Sequence, residues 1–339
     1  MSQKDQPVIR FAVVGAGRIG KRHANLIAGH PEAELTSLVD PTPKELEPFN
    51  VPIFSSIEEM LASDQRPDVV NIASPNGLHA EHAIKALEAG CHVVIEKPMA
   101  LKKADAEKVI YTALHKHRQV FVVMQNRYSP PSRWLKEMID SKRLGEVFMV
   151  QVNCFWNRDE RYYTGGWHGT LALDGGTLYT QFSHFIDIVY WLFGDLTNIR
   201  TKMRDYRHKD LTEFEDSGVI SFELTDGGMG TLSFSTAVWD KNMESSITII
   251  GEKGSIKVAG QYMNEVVYCH VEDYEMPELE PTSPPNDYGP FQGSAANHGH
   301  VIQNVIDVMH GTNTITTNAL EGLKVVDIIE RIYQADKTQ

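Results

Sequence analysis

Gly15, Gly17 and Gly20 stand in the order Gly-Ala-Gly-Arg-Ile-Gly, directly after the apolar run Phe11–Val14 and at the head of a segment with helical period. The first glycine permits a tight turn and the second lets backbone approach a diphosphate. The third allows close helix–strand packing, and the N–H groups of the helix start, at Arg18 and Ile19, are donors for the anion. Asp40 lies twenty residues past Gly20, at the end of the second apolar run. A carboxylate there accepts the ribose hydroxyls of NAD and repels a 2′-phosphate. No arginine follows it in the next nine residues, where Lys44 is the one cation, so NAD is expected rather than NADP.

Ligands of a parallel sheet sit beyond the carboxyl ends of its strands. Three such ends carry polar clusters: Ser74-Pro75-Asn76-Gly77-Leu78-His79, Glu96-Lys97-Pro98 and Gln125-Asn126-Arg127-Tyr128. Ordinary polar loops explain any one of these but explain all three together poorly. Ser74, Asn76, His79, Glu96, Lys97 and Asn126 are therefore candidates for contact with the dinucleotide. Lys97 is pinned between strand and proline, and a cis bond to Pro98 would aim its ammonium inward. Fourteen histidines give pairs such as His79-x-x-His82, His115-x-His117 and His298-x-His300, without an HExxH motif or a cysteine cluster, so no metal site is expected.

The elements that position these residues fall into two textures. From Val8 to Met124, apolar runs ending near Val14, Asp40, Ala73, Lys97 and Gln125 alternate with helical segments at Arg18–Ala28, Ile57–Ala62, Leu78–Ala89 and Ala104–His117. This is the pattern of βαβ units. Ser56 with Glu59 reads as a capping box, and Gly90 as the glycine that ends a helix. After about Asn126 comes a short helix opened by Pro130 and Pro131, a strand through Cys154, a polar loop from Asn157 to Asp174, and one long helix from Gly176 to Phe193. Six β-branched or alternating segments then predict an antiparallel sheet: 196–206, 217–224, 230–239, 245–250, 255–258 and 265–270. Residues 275–294 are too proline-rich for regular structure, and two helices, 296–309 and 319–335, end the chain. The expected organisation is an α/β Rossmann domain over 1–127 and an α+β domain with a large open, mainly antiparallel sheet over 128–339, a terminal helix packing back on the first.

The chain has 339 residues, with 32 Lys plus Arg against 45 Asp plus Glu, a net charge of −13. That balance argues against nucleic acid or a polybasic membrane contact, since counterion release needs an excess of basic side chains. Cys91, Cys154 and Cys269 are odd in number and far apart, as for reduced thiols in the cytoplasm. The first residues lack the pattern of a signal peptide, and the most apolar stretch, 185–193, is far below the ~20 residues of a membrane span. A cytoplasmic protein is expected.

The GAGRIG turn, the SPNGLH turn, EKP and GGTLYTQFSHFIDIVYWLFG together resemble the glucose-fructose oxidoreductase and inositol dehydrogenase family, over essentially the whole chain. Within it, QNRY, the WNR loop, WHGT and LDGGTLYTQFSHFID are most similar to the UDP-N-acetylglucosaminuronate 3-dehydrogenases of surface-polysaccharide biosynthesis. The resemblance implies a bound NAD, oxidation of a sugar or polyol hydroxyl, and a homo-oligomer, dimer or tetramer, built through open sheet faces. It implies too that His184 transfers the proton and Lys97 hydrogen-bonds the reacting hydroxyl. On spacing alone His184 reads otherwise. It shares a helix face with Thr180, Asp187, Ile188 and Trp191, as a core histidine satisfied by Asp187. Many members carry an Asp where this chain has Thr180, which removes a negative charge beside a sugar carboxylate.

The loop Asn157-Arg158-Asp159-Glu160-Arg161-Tyr162-Tyr163 reads either as a solvated turn or as the basic patch an anionic substrate needs in so acidic a chain. Arg158 suits bidentate contact with a carboxylate or diphosphate. Tyr162, Tyr163 or Trp167 offer aromatic surface for a sugar or uracil, or pack. The candidate substrate residues are thus Lys97, Asn157, Arg158, Tyr163, Thr180 and His184, and the expected partner is a small-molecule sugar or UDP-sugar. A free sugar or inositol dehydrogenase is the alternative. A second alternative is a regulator that binds the dinucleotide without turnover, a reading that loss of Lys97 or His184 would have favoured.

Overall fold

Continuous apolar runs need cover on both faces, and in the computed structural model, which describes residues 6–287, 289 and 291–337, the runs before Met124 obtain it. The chain order there is β1 (Ile9–Val14), α1 (Arg18–Ala28), β2 (Ala33–Val39), β3 (Ile53–Phe54), α2 (Ile57–Ala62), β4 (Val69–Ile72), α3 (His79–Glu88), β5 (His92–Ile95), α4 (Lys103–Lys116) and β6 (Val120–Val122). The six strands form one parallel sheet in the order β3-β2-β1-β4-β5-β6. Every residue of β4 is buried, as an inner strand covered on both sides requires. The capping box forms: Glu59 N donates to Ser56 Oγ at 3.2 Å, and the Glu59 carboxylate accepts from Ser55 N at 3.0 Å. Gly90 takes φ +88° after α3. β3, a two-residue edge strand, is an addition to the expected pattern.

The second stretch runs α5 (Pro130–Asp140), β7 (Val147–Phe155), α6 (Glu160–Tyr163), α7 (Thr177–Thr180), α8 (Ser183–Phe193), β8 (Leu196–Arg204), β9 (Ser217–Leu224), β10 (Met229–Ser235), β11 (Glu244–Gly251), β12 (Gly254–Ala259), β13 (Glu265–Val271), β14 (Pro285–Asp287) and β15 (Gln292–Ala295). β7 to β13 make a seven-stranded sheet, β13-β12-β11-β7-β10-β9-β8, antiparallel except for the β7–β10 pair. Alternation along β9 buries Gly218, Ile220, Phe222 and Leu224 and exposes the residues between them. The chain ends with α9 (His298–Met309) and α10 (Ala319–Lys337). Two compact units result: the first runs to Met124 and takes in His298–Val326, and the second comprises Gln125–Asn297 and the chain from Asp327. Among the described residues, no helix is long and apolar enough to cross a membrane.

Two expectations are corrected. The long helix from Gly176 to Phe193 is broken at Gln181–Phe182 into α7 and α8. Phe182 leaves helical geometry at φ −118°, ψ 5°, and its buried ring packs edge-on against Trp156 and near Phe185 and Phe234. Packing outweighs local propensity there. The stretch 275–294, expected to lack regular structure, contributes β14 and β15, which pair with each other. Residues 1–5, part of the expected leader, and Tyr288 and Pro290 of that loop lie outside the described residues.

Candidate active site

In the first unit the turn after β1 behaves as its glycines require. Gly15 adopts φ +88°, and a Cβ there would lie 2.6 Å from the Ala73 carbonyl and from Ser74 N. A Cβ on Gly20 would meet Gly15 O at 1.8 Å. A Cβ on Gly17, by contrast, would meet nothing within 4 Å, so this backbone faces open space as the helix begins, with no side chain capping it. Arg18 and Ile19 form the first turn of α1. Asp40 reaches back to the same turn: Oδ2 accepts from Ala16 N and Oδ1 from Thr42 N, each at 2.9 Å. Free amides at a helix start, a backbone that admits close approach and a carboxylate at the second strand end fit an adenine dinucleotide.

The ends of β4 and β5 are knitted together. The His79 ring nitrogens lie 2.7 Å from Ser74 O and 2.7 Å from Pro98 O, so this imidazole is engaged with the backbone of both polar clusters. Burial lowers its pKa against the pull of those carbonyls. Ser74 Oγ bonds His82 Nδ1 at 3.0 Å, and Asn76 is buried beside it in a 3₁₀ turn. The Lys97–Pro98 peptide is cis. Lys97 N donates to Glu96 Oε2 at 3.1 Å, while Glu96 Oε1 receives His23 Nε2 at 2.9 Å and His298 Nε2 at 3.5 Å. Burial alone would raise the Glu96 carboxyl; the two imidazoles more than reverse it and hold it well below the usual range. His23, Glu96 and His298 bring their polar atoms within 4.8 Å of one another, a donor set a divalent ion accepts by type and spacing. Their separation in the chain hid this cluster from sequence reading. As observed, it is a hydrogen-bonded anchor beneath Lys97, with Asn71 Nδ2 completing His23 at 3.1 Å.

In the second unit, His184 is 2% exposed near the start of α8. Gln125 Nε2 lies 3.1 Å from its Nε2 and 3.3 Å from Ser294 Oγ. With Gln125 as donor, the ring carries its proton on Nδ1 and Nε2 is the lone-pair nitrogen. Asp187, which helix spacing alone sets beside His184, is engaged by Arg127. Its two oxygens accept a fork from Arg127, Nε at 2.9 Å and Nη2 at 2.6 Å, because a guanidinium 2% exposed requires a counter-ion. Asn126, in the same 3₁₀ turn, is 3% exposed, and neither amide atom has a hydrogen-bond partner. Such an orphaned amide fits contact with a ligand.

The Asn157–Tyr163 loop is more buried than a solvated turn. Arg158 is 2% exposed and donates to Gln181 Oε1 at 2.9 Å, Asn157 O at 2.5 Å, Asn242 Oδ1 at 3.2 Å and Gln292 O at 3.3 Å, among the rings of Trp156, Tyr162 and Phe291. Asn157 donates to Val238 O, and its buried Oδ1 has no hydrogen-bond partner. Tyr163 is buried, which pushes its phenol upward. Thr180 Oγ1 donates to the Asp174 carboxylate, which also accepts Gly169 N at 2.7 Å and lies 3.8 Å from His168. The side where Thr180 stands therefore keeps a buried carboxylate, Asp174, which sequence reasoning passed over as part of a glycine turn.

Residues 9–124 match the family model described as the oxidoreductase family with NAD-binding Rossmann fold, and residues 132–257 match the GFO/IDH/MocA C-terminal domain. The chain belongs to this family and is an NAD-dependent sugar dehydrogenase. It is similar to the WlbA dehydrogenase from Bordetella pertussis solved in complex with NADH and UDP-GlcNAcA, with 32% identity, 97% of each chain covered and a TM-score of 0.86. A second WlbA dehydrogenase, from Chromobacterium violaceum and in the same complex, gives 32% identity and a TM-score of 0.88 over 98% of this chain and 95% of that one. By sequence it is 26% identical to the D-glucoside 3-dehydrogenase of Escherichia coli strain K12 over 67% of each chain.

Proposed function

We propose that the protein oxidises C3 of a UDP-sugar acid, UDP-N-acetylglucosaminuronate, in surface-polysaccharide biosynthesis. One observation carries this reading: the end-to-end likeness to two dehydrogenases whose complexes hold NADH and UDP-GlcNAcA. Lys97 hydrogen-bonds the reacting hydroxyl and His184 takes its proton at Nε2, where substrate replaces the Gln125 amide as the hydrogen-bond donor. Bound NAD supplies the hydride acceptor, so the C–H and O–H bonds break and a C=O bond forms. Gly15, Gly17, Arg18, Ile19, Gly20, Asp40, Ser74, Asn76, Glu96 and Asn126 serve the dinucleotide, with His79 holding two of the loops. Asn157, Arg158, Tyr163 and Thr180 shape the sugar side. A second reading, a dehydrogenase of a free sugar or inositol, is favoured by the engagement of Arg158 with the protein itself.

The protein works in the cytoplasm as a dimer or tetramer. Support for assembly lies on the solvent face of the large sheet, where Met149 pairs across strands with Ile250 and Met229, each more than 40% exposed. UDP-N-acetylglucosaminuronate, inositol and glucose are compared by absorbance at the NADH band. Higher kcat/KM on inositol or glucose than on any UDP-sugar acid overturns the proposal and leaves the sugar dehydrogenase intact.

A further inference from the structure

Directly after Arg158, the chain enters the wall of a cavity of about 360 Å³ lined by Asp159, Glu160, Arg161, Arg207, His208 and Leu211. Arg161 forks onto Asp159, which removes both charges from consideration. Arg207 feels the Asp159 carboxylate only at longer range. Among the described residues no carboxylate lies within ion-pair distance of it, and its guanidinium makes one long hydrogen bond, 3.5 Å to Ala237 O. It stacks 5.2 Å from the ring of Trp239, which is 79% exposed.

His208 is the second unmatched group. It is 1% exposed, and neither ring nitrogen makes a close hydrogen bond, the Arg158 backbone and the Asp216 carboxylate being polar groups that face it. The Asp216 carboxylate lies 3.7 Å from Nδ1, and its oxygens already accept from Tyr206 N, Arg207 N and Ser217 Oγ. Burying a polar side chain with its hydrogen-bonding capacity unfilled is unfavourable, so such a group in a cavity wall points to a ligand that completes it. Adjacent in sequence, a cation with no close counter-ion and an imidazole with no close hydrogen bond line a single cavity beside an exposed indole, with Glu160 as the carboxylate of that lining which Arg161 does not hold.

We propose that this cavity receives the nucleoside diphosphate end of the substrate, with Arg207 and His208 on phosphoryl oxygens and the face of Trp239 against the base. The volume suits a group of that size, an arginine fork matches phosphate, and an indole face stacks any base. The inference rests on the sugar-nucleotide reading and reassigns the anion: Arg158 is an internal strut, and Arg207 is the cation that meets substrate. The strut joins the cavity to the sugar side. Gln181, next to Thr180, accepts from Arg158 and donates to Tyr162 Oη at 2.7 Å, and the Tyr163 ring lies 5.2 Å from that of His208.

The test titrates UDP into the full chain by calorimetry, with and without Arg207→Ala and Trp239→Ala, alongside NADH titrations and steady-state kinetics. Arg207 and Trp239 are exposed, so both variants fold. UDP binding at least about tenfold weaker in Arg207→Ala, a matching rise in KM for the UDP-sugar acid, and unchanged NADH affinity are expected. UDP that binds both chains equally, or neither, overturns the cavity assignment. If the UDP-sugar acid is oxidised with the same KM by Arg207→Ala, the cavity assignment falls and the proposed function stands. If UDP binding depends on Arg207 but no UDP-sugar acid is oxidised, the proposed function falls and the cavity stands.

Discussion

Replacing Asp187 with Asn separates the observed pairing from the one that helix spacing suggests. The Arg127 and Asp187 side chains are each 1% exposed, joined by two hydrogen bonds of 2.9 and 2.6 Å, and the guanidinium lies 5.4 Å from the Trp191 ring. Asp187→Asn keeps the shape and removes the counter-charge, leaving a guanidinium with no bulk water to solvate it. Breaking a buried pair in this way costs about 3–5 kcal/mol, whereas replacing both partners by apolar residues of similar volume is often close to neutral. All five tryptophans, at 134, 156, 167, 191 and 239, lie in the second unit, so fluorescence during urea unfolding reports on it. The midpoint should fall by roughly 1 M in Asp187→Asn. Asp187→Leu alone should lose as much, and adding Arg127→Met to it should recover most of that loss, giving a coupling of about 3 kcal/mol in the Asp187→Leu/Arg127→Met double-mutant cycle. Additive losses, or single losses below about 1 kcal/mol, would refute the paired arrangement. A shifted pH–rate profile without a stability loss would restore Asp187 as the partner of His184.

Asp40→Ala should erode an NAD preference of at least about tenfold over NADP mainly by weakening NAD, since a lost charged hydrogen bond is worth about 1.5–3 kcal/mol; fluorescence titration with both dinucleotides checks it. Lys97→Met and His184→Asn should each lower kcat by about 10²- to 10⁴-fold with nearly intact NADH affinity; near-normal turnover in His184→Asn returns that residue to the core. Burial raises the Glu215 carboxyl from 4.5 to about 7, against the hydrogen bond from Tyr333. The folded state therefore keeps a proton that the unfolded chain releases first, and stability falls as pH rises from 4.5 to 7. Glu215→Gln should flatten Tm across that window, and an unchanged slope counts against it. Thr180→Asp sets a second carboxylate against Asp174 and should lower Tm while weakening a UDP-sugar acid more than a neutral sugar; kinetics with both substrates decides.

What periodicity could show, it showed to the residue in places: α1 at Arg18–Ala28 and β9 at Ser217–Leu224 have the limits their patterns predict. Local rules decide such elements. The failures are long-range. Nothing near Gln181 in the chain announces that its amide will be held by Arg158 and Tyr162, and those bonds accompany the break between α7 and α8. The β14–β15 pair depends on two segments with weak strand preference, Pro285–Asp287 and Gln292–Ala295, meeting each other. Glu96 was visible as a strand-end acid. Its two imidazoles come from positions 23 and 298, far apart in the chain, and no motif links them.

The charge logic of the substrate side also changes once distances replace spacing. Thr180 does not leave its surroundings without a negative charge, because its hydroxyl donates to the Asp174 carboxylate. A threonine has one O–H to give. Spent on Asp174, it leaves only acceptor capacity, which does nothing for a sugar carboxylate. The advantage of threonine over aspartate here is then the avoidance of two adjacent carboxylates, and the attraction for an anion must come from elsewhere. Arg158 does not supply it while its guanidinium is bound to Gln181, Asn157, Asn242 and Gln292. Its work is to fix the turn at Gln181, and through Tyr162 the loop that leads to the cavity. On the proposed reading Arg207 is the cation that meets a phosphate, so discrimination for a sugar nucleotide should reside at the cavity and discrimination for the sugar ring at Thr180. The two should separate kinetically, Arg207 substitutions penalising all UDP-sugars alike and Thr180 substitutions changing the ratio among them.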